Sequence, residues 1–245
     1  MCYHVGMSSP ATVTFDYRFK RKSGTVKEFR VELDARTLKL VRRKGQSYPE
    51  WTRLPYFKCP NCPLKNSEHE YCPAATGISE VIDFSKDAVS FEEADMEITT
   101  EARTYLKHTS MQHGLSSLIG LCMATSGCPI LDKLRPMVRT HQPFATIEET
   151  VFRSITSYLM AQYFLYKKGE KPDWDMKNLV GIYEDIRTVN QGFFNRIQNI
   201  HTEDAGLNAV IHPDCFAHFL NMALLDISGL DEIECLYHSY LKNTK

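Results

Sequence analysis

Apolar and polar residues alternate from Thr12 to Phe19, placing Val13, Phe15, Tyr17 and Phe19 on one face. A period of two marks a half-buried strand. Phe29, Val31 and Leu33 repeat the pattern, and Ser23-Gly24 between the two runs reads as a hairpin turn. Leu38 and Leu40, after the turn-like Asp34-Ala35-Arg36, predict a third short strand. Three strands alone are marginal, so their inner face has to pack on the rest of the chain.

No period holds from Tyr48 to Gly77, where five prolines and three cysteines predict a loop that needs cross-linking. From Glu101 onward the pattern turns helical. One helix is expected near Glu101 to Ser126, with Tyr105, Leu115, Leu118, Ile119 and Cys122 as its buried stripe and Gly127 as its end. Thr146 and Glu149 form a capping box that opens a second helix, closed by Lys167-Lys168-Gly169. Phe152, Tyr158, Tyr163 and Phe164 on it are expected in the core. A third helix spans about Asp175 to Ile200, with Leu179, Ile182, Tyr183, Ile186, Val189, Phe193 and Ile197 on one face. Two shorter helices are expected near Pro213 to Leu225 and Leu230 to Leu241. The sum is an α+β chain: a small N-terminal antiparallel β-meander (1–47), a cysteine- and proline-rich metal-binding connector (48–100) and a mostly α-helical C-terminal domain (101–245).

The chain has 245 residues, 43% of them hydrophobic, and a formal net charge of −1. That balance gives the whole molecule no bias toward polyanions. No run approaches the roughly 18 consecutive apolar residues of a spanning helix. Met1 to Pro10 lacks the basic and apolar regions of a secretory signal. The expectation is a cytoplasmic protein without a membrane partner. The charges are unevenly spread: Arg18 to Lys44 holds eleven Lys/Arg against Glu28, Glu32 and Asp34, and Glu92, Glu93, Asp95, Glu97 and Glu101 follow later. Solvated surface is the simplest reading. Nucleic-acid binding by the basic strands is an alternative.

Eight cysteines in a cytosolic chain read as buried thiols, metal ligands or a nucleophile rather than a disulfide framework. Four of them precede proline directly: Cys59, Cys62, Cys72 and Cys128. Chance pairing of eight cysteines with 11 prolines in 245 residues gives well under one such pair. Cys2, Cys122, Cys215 and Cys235 lack the proline and read as ordinary thiols, the last three as small buried hydrophobes. A C-x2-C pair can turn both sulfurs toward one centre, and proline stiffens the backbone beside each ligand. The expected site is Cys59, Cys62, Cys72 and Cys128 around a zinc ion or a [4Fe–4S] cluster. Pro63 stands where zinc knuckles commonly keep a small residue with a free N–H, which tips the choice toward iron–sulfur. His69 is the substitute fourth ligand, and four metal-free thiols are the alternative to any metal. A bound centre would make the protein a sensor or regulatory module whose ligands fix the relative placement of the two halves.

A second constellation precedes the capped helix. Arg135, Arg139, His141, Glu148 and Arg153 suit a polar pocket, and a site between helices built from Gln112, Arg135, His141 and Glu149 would make the chain an enzyme. The simpler reading pairs the arginines with Glu148 and Glu149. Gln112 and Ser116 are further candidates to line a cavity. The chain has no H-E-x-x-H, phosphate-binding glycine loop or G-x-S-x-G.

Cys59-Pro-Asn-Cys62-Pro63-Leu64, Gln112 through Gly120, Ser126-Gly-Cys-Pro129, Arg135-Pro-Met137, and Pro143-Phe144 with Glu149-Thr150 resemble an uncharacterised family of bacterial proteins of about this length. The resemblance covers nearly the whole chain and implies a bacterial cytosolic protein with a domain of unknown function. It implies no activity, cofactor or catalytic residue.

Overall fold

The computed structural model describes residues 12–42, 45–86, 88–200 and 233–242. Strands β1 (Thr12–Arg21) and β2 (Val26–Asp34) form the expected hairpin. Gly24 takes φ +85° in its turn, a conformation glycine adopts without strain, and the Arg21 and Gly24 amides close the turn. The third strand expected at Leu38–Leu40 reduces to one bridge between Leu33 and Leu40. Leu38 sits at φ +55°, which breaks an extended run.

The sheet is completed from further along the chain. Helix α1 (Pro73–Ser85) comes first, then β3 (Glu93–Thr100) and β4 (Thr104–Ser110), giving an antiparallel order β2-β1-β3-β4. The sheet thus draws on all three sequence segments, and the fold is α+β. Helix α2 (Met111–Thr125) starts ten residues later than the expected helix at Glu101, because 104–110 is strand. The acidic stretch supplies the outer face of β3, while Ala94, Met96 and Ile98 point inward.

This placement explains the uneven charge. The basic β1 lies between β2 and the acidic β3, and cross-strand pairs follow: Arg18 with Glu28 (3.3 Å) and Glu97 (3.7 Å), Lys22 with Glu93 (2.9 Å), and Arg21 with Glu92 (3.0 Å). Arg18, Arg21 and Lys22 of the basic segment are therefore paired with neighbouring acids.

Phe15, Tyr17, Phe19, Phe29, Val31 and Leu33 form the inner face of the hairpin. Helices α1 and α2 complete the core with Ile78, Val81, Ile82, Leu115, Leu118 and Ile119. At Gly114 a Cβ would lie 2.6 Å from the Met96 Cε, so this glycine lets α2 close on β3. Beyond α2 come a 3-10 turn (Leu131–Leu134), α3 (Arg135–Val138), α4 (Ile147–Lys167) and α5 (Lys177–Gln198). The capping box at Thr146 is present in both directions, and Gly169 follows the helix end at φ +78°. On α5 the expected face is buried except for Ile182, which is partly exposed. On α4 it is Val151, Ser154, Ile155 and Gln162 that are buried, whereas Phe152, Tyr163 and Phe164 are exposed and Tyr158 is partly exposed. The expected core placement of those aromatics is corrected, because they lie off the buried stripe.

The helix expected at 213–225 lies outside the described residues. Of the last expected helix, a 3-10 turn (Cys235–Tyr237) and α6 (His238–Leu241) are described. Among the described residues, no helix is long and apolar enough to cross a membrane.

Candidate metal centre

The four Cys-Pro cysteines occupy three separate stretches of chain, of which the Cys59–Cys62 loop packs on α5. Cys59 follows Phe57, whose φ of +44° bends the loop inward. Its Sγ points at the Val189 carbonyl (3.9 Å), and a Cβ at Gly192 would lie only 2.7 Å from that sulfur. Gly192 thus permits the loop to touch the helix. The Cys62 amide donates to the Cys59 carbonyl (3.0 Å), closing a tight turn across the C-x2-C pair. Asn61 between them donates to the Asp185 carbonyl on α5 (2.9 Å).

Cys72 is the N-cap residue of α1, with Pro73 at the first helical position. The expected loop to Gly77 therefore ends early, in a helix whose start is the ligand candidate itself. The Cys72 side chain makes no capping hydrogen bond of ordinary geometry, yet the amides of Ala74 and Ala75 favour its thiolate form. Cys128 follows Gly127, whose φ of +92° turns the chain out of α2 as expected. The amides of Ile130 and Leu131 favour its thiolate in the same way. Arg42 ties the last two ligand candidates together, donating to the Pro73 carbonyl (2.6 Å) and the Ser126 carbonyl (3.0 Å).

Cys59, Cys72 and Cys128 are buried, and Cys62 is partly exposed. Burial pushes the Cys59 thiol up to about 12, with the proximity of Cys72 adding to it. Burial likewise raises Cys72 and Cys128, against the pull of their neighbouring amides. Cys62 acts electrostatically on all three of the others, and Cys72 on Cys59 and Cys128, so the four share one neighbourhood. Among the described residues, no group of three or more His, Cys, Asp or Glu side chains is gathered as a set ready to hold a metal ion.

Arg196 on α5 was not singled out from sequence. It is 1% exposed, and its guanidinium donates to the carbonyls of Trp51 (2.5 Å), Arg53 (2.9 Å) and Phe57 (3.4 Å). Its Nε is buried without a hydrogen-bond partner, and among the described residues it makes no ion pair with a carboxylate. Burial lowers its pKa, while Cys72 and Cys59 act in the opposite direction. The one signal for it in the sequence is its place within the otherwise apolar face of α5.

The remaining candidates are dispersed. His69 is exposed in a surface turn. Cys122 is buried, as expected of a small hydrophobe; Cys235 is exposed, which corrects the same expectation for it, because the short helix around it buries none of its residues. Cys2 and Cys215 lie outside the described residues. Of the polar-pocket candidates, Arg135 pairs with Asp132 (3.0 Å) and Glu149 accepts from the Thr146 amide (2.7 Å) in the capping box. Arg139 is exposed and Gln112 is partly exposed on the first turn of α2. His141 lines a cavity between the helices, together with Ser116, Ser117 and Arg153, and the other four are not part of that lining.

A family model described as a domain of unknown function (DUF6901) matches residues 13–238. The chain belongs to that family. No curated protein and no solved structure matches it.

Proposed function

We propose that Cys59, Cys62, Cys72 and Cys128 bind a [4Fe–4S] cluster or a zinc ion, and that this centre serves as a sensor or regulatory module. The observation that carries the reading is Arg196, a buried cation with no carboxylate partner among the described residues, set against the thiols. A buried charge is costly unless paired. Of the ionisable groups that act on it, Cys72 and Cys59 come first, ahead of Tyr56, and four thiolates around zinc or a cluster leave a net negative charge that Arg196 offsets. The amides aimed at Cys72 and Cys128 support the same chemistry, since N–H groups near sulfur stabilise a thiolate. Without a bound cation, burial keeps these thiols protonated; a metal draws the protons off.

Pro63 removes an N–H beside Cys62 and favours the cluster over zinc. The centre would tie the connector and the end of α2 to one point beneath α5. Its loss or oxidation would free those segments, which is the regulatory step.

Anaerobic purification followed by metal analysis and a visible absorption spectrum tests the reading. About four irons with a broad visible band, or about one zinc with none, is the expected result. Cys72→Ser and Cys128→Ser should lose the metal, while Cys235→Ser keeps it. Metal-free protein of unchanged stability after anaerobic purification overturns the proposal.

A further inference from the structure

A cavity of about 430 Å³ lies between α2, α3, α4 and α5, with none of the four Cys-Pro cysteines in its lining. Its walls are largely apolar, with Leu121, Leu134, Met137, Phe144, Ile147 and Ile186 among them. The volume falls in the range of small-molecule sites, which combine apolar walls with a few placed polar groups.

The polar groups here are unusual in what they lack. Arg153 donates through Nη2 to the Met137 carbonyl (2.8 Å), but its Nε is buried with no partner. Among the described residues no carboxylate stands within ion-pair distance of it. Glu149, one turn back on α4, is committed to the Thr146 cap, and Tyr183 donates to Ser154 (2.7 Å). His141 adds no charge: burial, with Arg153 nearby, holds its ring neutral down to about 3. Tyr17 lies 2.6 Å from the His141 Nε2 and 3.1 Å from the Ser117 Oγ. With the buried phenol donating to Nε2, the imidazole carries its proton on Nδ1. The cavity wall thus presents the Arg153 guanidinium amid apolar surface, without an ion pair among the described residues and with Glu149 acting on it only from beyond that distance.

We infer that this cavity binds a small monocarboxylate with an apolar body, its carboxylate held by Arg153. A guanidinium fork matches a carboxylate in shape and charge. One cation suits one negative charge. A dianion such as phosphate is disfavoured, because Glu148 and Glu149 already place two acids in the first turn of α4 and the capping box uses its amides. The apolar walls take the body of the ligand by burial. This inference stands apart from the metal centre and shares none of its residues.

The test is calorimetric titration of the full chain with octanoate and with benzoate, using 1-octanol as the uncharged control. At least one of the two acids should bind, tenfold or more tighter than 1-octanol. Arg153→Gln should weaken that binding tenfold or more. Gly120→Leu gives an independent reading. Gly120 lines the cavity on α2, and a Cβ there meets nothing within 4 Å, so the side chain grows into the cavity without a clash at its root. Removing a helical glycine also favours the helix, so the variant should fold, and it should abolish binding. No binding of either acid overturns the inference, as do equal affinity for 1-octanol and unchanged binding in Gly120→Leu.

Discussion

Substituting His141 with Gln isolates one ionisation. The ring packs edge-on against Phe15 (centroids 5.4 Å apart) and bonds to Tyr17, so its cationic form would lose much of its hydration. Burial, followed by the charge of Arg153, lowers its pKa from 6.5 to about 3. The folded-state value is depressed, so the contribution is present above pH 6.5 and lost as pH falls toward 3. Between pH 7 and 5 the unfolded chain takes up this proton and the folded chain does not. With an unfolded value near 6.5, linkage puts the loss at no more than about 2 kcal/mol over that window. His108 works the other way, because Asp95 and then Glu93 raise its pKa, so its support fades as pH rises. The difference between wild type and His141→Gln removes that background. Gln can still accept from Tyr17. Urea unfolding of both proteins at pH 7, 6, 5.5 and 5, followed by circular dichroism, should show the gap between them narrowing by about 2 kcal/mol on acidification. Parallel stability curves would refute the reasoning, and so would an NMR titration in which the His141 ring protonates near 6.5.

Two further outcomes follow from local geometry. Gly192→Ala forces a Cβ to within 2.7 Å of the Cys59 sulfur, so it should destabilise the fold by about 1–3 kcal/mol and lower metal retention, whereas Gly181→Ala on the same helix meets open space and should stabilise by up to about 1 kcal/mol. Denaturant midpoints of the two variants check the contrast. Thr146→Ala removes the Oγ1 that accepts from the Glu149 amide, leaves the backbone N–H donating to Glu149, and should cost about 1 kcal/mol, read from the same unfolding curves.

The periodic elements were legible from sequence because one face of each is buried and the other is wet. The β1–β2 hairpin, the cap at Thr146 and the face of α5 are of that kind. Strand β4 was hidden because an edge strand without a continuous buried face carries no alternation: Leu106 is 75% exposed and the rest is mostly polar. Strand β3 was hidden by its acids, which mark its solvent face and masked Ala94, Met96 and Ile98 between them. The Cys-Pro pairs stood out in composition, but Arg196 could be recognised only once the loop it holds was in place. Arg153 gave an even weaker signal. It was grouped with the polar residues before α4, and only the fold separates it from Arg135, which has an acid of its own.

The excursion from Asp34 to Glu93 leaves the sheet beside one edge of β1 and returns along the other. Strand β1 is the inner strand that both β2 and β3 need, with Phe15 opposite Thr100 and Arg21 opposite Ala94. Any attempt to express the chain in two pieces, cut within the connector, would leave the first piece with a seven-residue edge of β1 lacking its partner strand, the alternate residues along it holding unanswered hydrogen-bonding groups. Those residues include Phe15, Tyr17 and Phe19, so the fragment would offer an apolar open edge to its own copies. Gene dissection of this family is therefore better done by trimming from the ends than by dividing it at its cysteines.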